Sequence, residues 1–326
     1  ASWIAACFAA GVFSQPATCQ TPSQSLAGFP SKPIRIVIPS PAGGPTDILG
    51  RLLARGFQAK WGQPAVPENR PGASQFIASD LVAKAAPDGY TLLVGTHQSH
   101  QNNAGLFRKL PYDPIKDFAP ISLLASAPIV LLVHPSVPAK SLTELLAIAR
   151  AKPGALNYGS QGNGSGGHIG MAMIEQMANV RMNHIPYKGA APALVDLVGG
   201  RIDVLMATIT SSVGNIRAGK VRALGVTSLQ RSPLLPDVPS ISELGLSGFE
   251  VVGWFGLFAP AGTSREVILE LNTEVVRIMN EPDTKKLLTN QGLVVAANSP
   301  EQFAQHVARE IDKWTKFIRG AKIQAD

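Results

Sequence analysis

Two loops in this sequence place hydrogen-bond donors where a helix begins, and donors at a helix start attract anions. The first is Pro41-Ala42-Gly43-Gly44-Pro45-Thr46-Asp47. Gly43 and Gly44 carry no Cβ, so a ligand can approach their backbone closely. Thr46 or Asp47 is placed to cap a helix beginning near Ile48, whose first amides are free and sit at the positive end of its dipole. Taken alone, this loop reads equally as an anion site or as a tight strand-to-helix connection. The second loop, Gly159 to Gly167, is the densest Gly/Ser/Asn stretch of the chain. Ser160, Gly162, Asn163, Gly164 and Ser165 precede a helix predicted from His168, giving bare amides with hydroxyl and amide side chains nearby. That is a cradle for a carboxylate. Neither loop contains Lys or Arg, which favours a carboxylate over a phosphate.

Other chemistries are poorly supported. Gly162, Gly164, Gly166 and Gly167 are too closely spaced for a GxGxxG turn, and Asn179 and Arg181 stand about 20 residues on, where a ribose-binding acid belongs. There is no GK[ST] and therefore no P-loop. The segment GSGGH at Gly164 lacks the final glycine of a nucleophile elbow. His97 and His100 have no HExxH and no carboxylate-rich neighbourhood, which argues against zinc. His97 reads equally as a hydrogen-bonding group for a ligand or as a loop cap. His168 reads more as a structural residue of a helix start, and His184 as a strand residue packed inside. Met171, Met173 and Met177 keep helical spacing and belong to a core.

The elements that would position these groups follow from periodicity. Ile34, Ile36, Val37 and Ile38 form a short buried strand, and Ile48, Leu49, Leu52 and Leu53 share one helix face. Tyr90 to Val94 is a strand running into Gly95-Thr96-His97-Gln98-Ser99-His100, a polar cluster at the strand end where ligands of open α/β sheets sit. Ile121 to Leu124 and Ile129 to Val133 read as two strands with a break at Ala127-Pro128. Ser141 and Glu144 form a capping box. From Ile129 to Val226 the order β-α-β-α-β-α-β predicts a parallel sheet with helices on both faces. Phe249 to Phe258 is an apolar strand. Three helices after Thr263 have no long strand of their own and should pack on an earlier sheet. Two blocks split near Leu124–Pro128 and rejoined near Phe249–Trp254 imply two domains joined by two crossings. We expect residues 29–124 with 254–326 to form one lobe and residues 125–253 the other.

Composition sets the outer bounds. With 326 residues, 45% hydrophobic and 16% charged, the chain has room for two packed cores. The net charge of +7 permits acidic partners. The basic residues are scattered and lack interleaved aromatics, so nucleic acid is not expected. The only cysteines, Cys7 and Cys19, precede the first predicted strand, so no disulfide framework or thiolate metal cluster is expected. Ala1 to Phe13 is small and apolar, like the hydrophobic part of a secretory signal, and residues 1–28 read as a signal remnant and linker. An irregular N-terminal arm is the other reading of this segment.

Several stretches together resemble one family. PAGGPTD, NRPGA, VAKAAPDGYTLLVGT, HIPYKGAAPALVDLVGGRIDV, RALGVTSLQRSPLLPDVPSISELGL and WFGLFAPAGT are similar to Bug-type extracytoplasmic solute receptors of tripartite tricarboxylate transporters. The resemblance runs from about Phe29 to the C-terminus. It implies an α/β, type II periplasmic-binding-protein fold, with two parallel-sheet lobes, two crossover strands and a ligand cleft between the lobes. It also implies a periplasmic protein that delivers a small carboxylate to membrane permease subunits, with no catalysis, no cofactor and no metal. The matching site positions are Pro41 to Asp47, Thr96 to Ser99 and Ser160 to His168, completed by Lys188, Gly189 and Ala190 and by the strand end at Ala207 and Thr208. Helix-start amides would do most of the carboxylate binding. We expect a monomer.

The chain departs from the family pattern at two places. Where a further Gly pair usually follows RPGA, it has Ser74 and Gln75. Near Ala207 and Thr208, where an Asp is common, it has no carboxylate, which argues against a ligand with an ammonium group. The expected ligand is a di- or tricarboxylate without an amine, aliphatic or aromatic. Two other classes share parts of this pattern. The effector domain of a transcription regulator would need a helix-turn-helix ahead of the first lobe, where too few residues stand. An α/β hydrolase or dehydrogenase would need the elbow or fingerprint that is lacking.

Overall fold

The computed structural model describes residues 28–324; the readings made on Ala1 to Phe13, Cys7 and Cys19 lie outside them. The β-branched run at the start becomes β1 (Ile34–Ile38), followed by α1 (Pro45–Trp61), β2 (Ala65–Asn69), α2 (Phe76–Ala83), β3 (Thr91–Thr96) and the short α3 (Asn103–Leu106). A long strand, β4 (Phe118–Val133), leads into α4 (Leu142–Ala151), β5 (Asn157–Ser160), α5 (Gly166–Ala178), β6 (Asn183–Pro186), α6 (Ala190–Val198), β7 (Val204–Thr208), α7 (Ile209–Arg217) and β8 (Arg222–Val226). The chain returns through β9 (Val252–Pro260) to α8 (Arg265–Asn280), α9 (Pro282–Asn290), β10 (Val294–Val295) and α10 (Pro300–Gly320).

One continuous strand path runs β2-β1-β3-β9-β4-β7-β5-β6, with β8 and β10 also paired to β4. The sequence predicts two strands broken at Ala127-Pro128, but β4 is a single strand of 16 residues. Pro128 falls where β4 changes partners, the last residue paired with β9 before β8 takes over at Val130. A residue without an N–H is tolerated at such a change of ladder. Within each half the strands are parallel apart from the one that enters from the other half and the two-residue β10, antiparallel to β4, so the parallel order expected from Ile129 to Val226 fails at β4. β9 runs against β3 in the first half, and β4 runs against β7 and β8 in the second.

Alternation along the strands builds the core. Ile34, Ile36 and Ile38 are buried with Leu49, Leu53 and Phe57 of α1 and with Leu271 and Val275 of α8. Val37 points the other way, to Val82 of α2, Phe258 of β9 and Phe303 of α10. In the second half Leu131 and Val133 pack with Leu145 and Ile174, while Val130 and Leu132 pack with Leu197 and Ile209. Helix α10 begins at a complete Ser299–Gln302 capping box and spans both halves. Its Phe303, Val307 and Ile311 belong to the first-half core, whereas Trp314 and Ile318, from the stretch expected in the first lobe, are buried with Leu131 and Met206. The Ser141 hydroxyl caps α4, but the Glu144 carboxylate accepts from the Lys140 amide, so only half of the expected box is present.

The seat of α10 on β9 depends on an absent side chain. A Cβ at Gly256 would lie 2.0 Å from Phe303 Cζ. Phe303 is itself wedged against Phe258 and Trp254, with ring centroids 4.8 and 5.9 Å away. Gly256→Ala should therefore lower folding stability by about 1–3 kcal/mol. The measurement is the urea midpoint at unchanged slope; an unmoved midpoint would show that Phe303 is not fixed at this seat.

Candidate functional site

A cavity of about 340 Å³ lies between the two halves of the sheet. Its floor is made by the crossing strands, through Ala127 and Ile129 of β4 and Gly253 and Phe255 of β9, with Val251 and Val252 at the edge. The first half supplies Pro45, Gln75, His97, Gln98, Gln101 and Asn102. The second half supplies Gln161, Ser165, Gly166, Gly167, Ile169, Ala190 and Thr208, and Trp314 of α10 closes one side. No Asp, Glu, Lys or Arg is among these residues.

The two helix starts are built differently. At α5 the Ser165 hydroxyl accepts from the His168 amide, and the Gly164 amide donates to His168 Nδ1 at 3.1 Å. The Gly167 amide donates to Gln161 Oε1, while Gly166 faces open space at the cavity wall. Behind this loop Ser160 Oγ accepts from the Gly162 amide and lies 2.7 Å from His184 Nε2. The His184 ring stacks with both Tyr158 and His168. His168 and His184 thus shape the cradle rather than line it.

At α1 the N-cap is Gly44, without a side-chain cap, so neither Thr46 nor Asp47 does the capping predicted for it. Thr46 Oγ1 is buried without a hydrogen bond. Pro45 at the first turn has no N–H to offer. The Gly43 amide donates to Asp47 Oδ2, and Asp47 also accepts from Arg51 and Asn69. Arg51, half exposed, is an ion-pair partner of Asp47. The anion held at this helix start is the protein's own carboxylate. Of the Ala42 to Asp47 loop only Pro45 reaches the cavity wall.

The remaining sequence-predicted positions divide in the same way. Thr208 lines the cavity, but Ala207 points into the core with Leu205, as strand alternation requires. Lys188 is exposed and Gly189 stands one residue before the lining Ala190; neither forms the wall. Thr96 and Ser99 lie one layer behind. Thr96 Oγ1 accepts the amides of Gln98 and Ser99, and Ser99 Oγ donates to the Thr96 carbonyl. Gly162, Asn163 and Gly164 form the turn that leads to α5 without lining the cavity.

His97 does line it. Burial pushes its pKa down to about 4, against the pull of the Trp254 carbonyl, and its Nδ1 is buried without a hydrogen bond. The ring lies over β9 where Gly253 leaves room, since a Cβ there would meet Cε1 at 3.0 Å. His100 is instead a core residue, stacked on Phe258 at 4.2 Å and bonded to Ser99 Oγ through Nδ1.

Sequence reasoning missed the carboxamides of Gln75, Gln101 and Asn102, whereas Gln98 and Gln161 lie within the stretches Thr96 to Ser99 and Ser160 to His168. Gln101 accepts from Trp254 Nε1 and donates to Asn102 Oδ1; Asn102 Nδ2 in turn reaches the Gly164 carbonyl of the other half at 3.3 Å. Gln161 donates to the Met206 carbonyl. Gln75 ends a turn in which Ala73, Ser74 and Gln75 all have positive φ, at 44°, 50° and 72°. Each such residue costs about 1 kcal/mol or more and persists only where its surroundings fix it. The one signal in the sequence was the pair Ser74-Gln75 where the family pattern has glycines.

The described architecture matches known proteins. The family described as "Tripartite tricarboxylate transporter family receptor" matches residues 49–323. The chain belongs to this receptor family. It is 41% identical over 324 residues to the "UPF0065 protein in tcbD-tcbE intergenic region" of Pseudomonas sp. strain P51, covering 97% of this chain and 94% of that one. Rpa4515 of R. palustris, solved with adipate, is 36% identical with a TM-score of 0.78, over 91% of this chain and 100% of that one. MatC from Rhodopseudomonas palustris, solved with malate, is 37% identical with a TM-score of 0.73, over 89% and 100%. The receptor therefore has the α/β type II periplasmic-binding-protein fold. It is a solute receptor and not an enzyme.

The Asp47 cluster gives a pH test. The Arg51 guanidinium, with help from the Gly43 amide and Asn69, holds the Asp47 carboxyl at about 2 against the opposing effect of burial. A carboxyl whose folded pKa is depressed adds stability above its unfolded value near 4 and loses it as pH falls toward the folded value. The receptor should accordingly be more stable than its Asp47→Asn variant at pH 6, and the gap should shrink between about pH 4 and pH 2. Denaturant midpoints of both proteins across this range check it; a constant gap would contradict the assignment.

Proposed function

We propose that this receptor captures a dicarboxylate with an apolar spacer and no amine, and passes it to the membrane subunits of a tripartite transporter. The observation that carries the reading is the cavity between the sheet halves, polar at its walls, apolar at its floor and without a charged lining residue. At one wall the Gly166 amide, at the positive end of the α5 dipole, suits a carboxylate. Ile129, Ile169, Phe255 and Trp314 offer surface to a hydrocarbon segment. An ammonium group would find no carboxylate partner there and would lose its hydration uncompensated. The adipate and malate held by the two R. palustris proteins support the diacid class.

In this reading residues 29–124 with 254–326, and residues 125–253, act as lobes that close about β4 and β9, the end of α10 from Trp314 being packed on the second. Closure removes water from the cleft and strengthens its hydrogen bonds. The family is one of periplasmic transport receptors, and we take this one to be exported by an N-terminal signal and to work as a monomer.

Calorimetric titration with adipate, succinate, malate and aspartate tests the proposal. Adipate and succinate should bind, with a melting-temperature rise at saturating ligand, and aspartate should bind far more weakly. Tight aspartate binding with no heat from the unsubstituted diacids would overturn it.

A further inference from the structure

We propose that Gln75 is a specificity-determining residue of the receptor: its Nε2 donates to the diacid carboxylate remote from α5. The inference rests on the diacid reading above and assigns it a second donor, on the half whose helix start is occupied by Asp47.

The orientation of this carboxamide follows from its neighbour. The Thr96 hydroxyl has one hydrogen and two lone pairs. It accepts the Gln98 amide at 3.1 Å and the Ser99 amide at 3.2 Å, which leaves its hydrogen for Gln75 at 2.6 Å. The Gln75 atom facing Thr96 is therefore the oxygen, and Nε2 is the other end of the amide. Nε2 makes no hydrogen bond among the described residues, and Gln75 lines the cavity. The other carboxamides of the wall are already engaged through nitrogen: Gln98 to Asn103, Gln101 to Asn102, Asn102 to Gly164 and Gln161 to Met206.

The backbone around Gln75 is held in a conformation that its side chain does not favour. The Gln75 amide donates to the Gly72 carbonyl, the Ser79 hydroxyl to the Gln75 carbonyl, and Asn103 Nδ2 to the Ser74 carbonyl. Several contacts thus fix a left-handed turn that glycine would adopt without strain. Ser74 shares the strain but is exposed and lies off the cavity wall, so it separates an effect of the turn from an effect of the side chain.

Three variants and two ligands test the assignment. Ser74→Gly should raise the melting temperature by about 2 °C through relief of positive φ, whereas in Gln75→Gly the same relief is offset by loss of the Thr96 hydrogen bond. Only Gln75→Gly should weaken adipate, by about tenfold, the effect of losing one hydrogen bond to a charged group. Gln75→Glu, which keeps an acceptor for Thr96 but sets a carboxylate against the ligand, should weaken adipate further. Hexanoate has no second carboxylate and should bind the wild type and Gln75→Gly equally weakly. Wild-type adipate affinity in Gln75→Gly, or an equal loss in Ser74→Gly, would overturn the proposal. Failure of wild-type protein to bind any diacid would remove the diacid reading, and this assignment with it.

Discussion

The pairing of β4 with β9 is the interaction on which the rest of the molecule depends. These antiparallel strands connect the two halves, and every group in the cleft is placed relative to them. Alternation decides what they contribute: Ala127, Ile129, Gly253 and Phe255 form the cleft floor, while Ser126, Pro128 and Trp254 line a separate cavity of about 480 Å³. Trp254 also reaches back through Nε1 to Gln101, tying the buried face of β9 to the carboxamides of the first wall. Gly253 and Gly256, on one strand, make room for His97 above the floor and for Phe303 of α10.

The cleft has no cationic side chain among its lining residues. The chain carries a net +7, yet none of it stands among the residues lining the cavity. A buried carboxylate needs compensation, and in the proposed complex the donors are neutral: the Gly166 amide at α5 and Gln75 Nε2 on the facing wall. Neutral donors cost less to desolvate when the cleft is empty than an unpaired Arg or Lys would. They also favour discrimination by geometry, because each donor must meet an acceptor at a set position. The strained turn at Ala73 to Gln75 fits the proposed arrangement, in which it would set one of those positions at some expense in stability.

Much of this frame was legible in the sequence. The strand-loop-helix pattern at both loops, the helix start near His168 and the polar strand end at Thr96 followed from periodicity and capping rules. The single run of β4 was not legible, because Pro128 is a strand breaker by type and only the change of partners makes it harmless. The role of Asp47 was misjudged because capping rules consider local backbone, whereas its partner Asn69 comes from a different strand. Gln75 and Gln101 gave no periodic signal, since a single hydrogen-bonding side chain imposes no repeat on its neighbours. Trp314 reaches the cleft from α10, far along the chain, through packing that no local pattern encodes.

The central claim is that neutral donors of both halves hold the two ends of a diacid across β4 and β9. A crystal structure of the receptor grown with adipate tests it most directly. One carboxylate should lie within hydrogen-bond distance of the Gly166 amide, the other within reach of Gln75 Nε2, and the methylene chain against Ile129 and Phe255. Adipate held by a cationic side chain such as Lys188, or seated outside this cavity, would contradict the account.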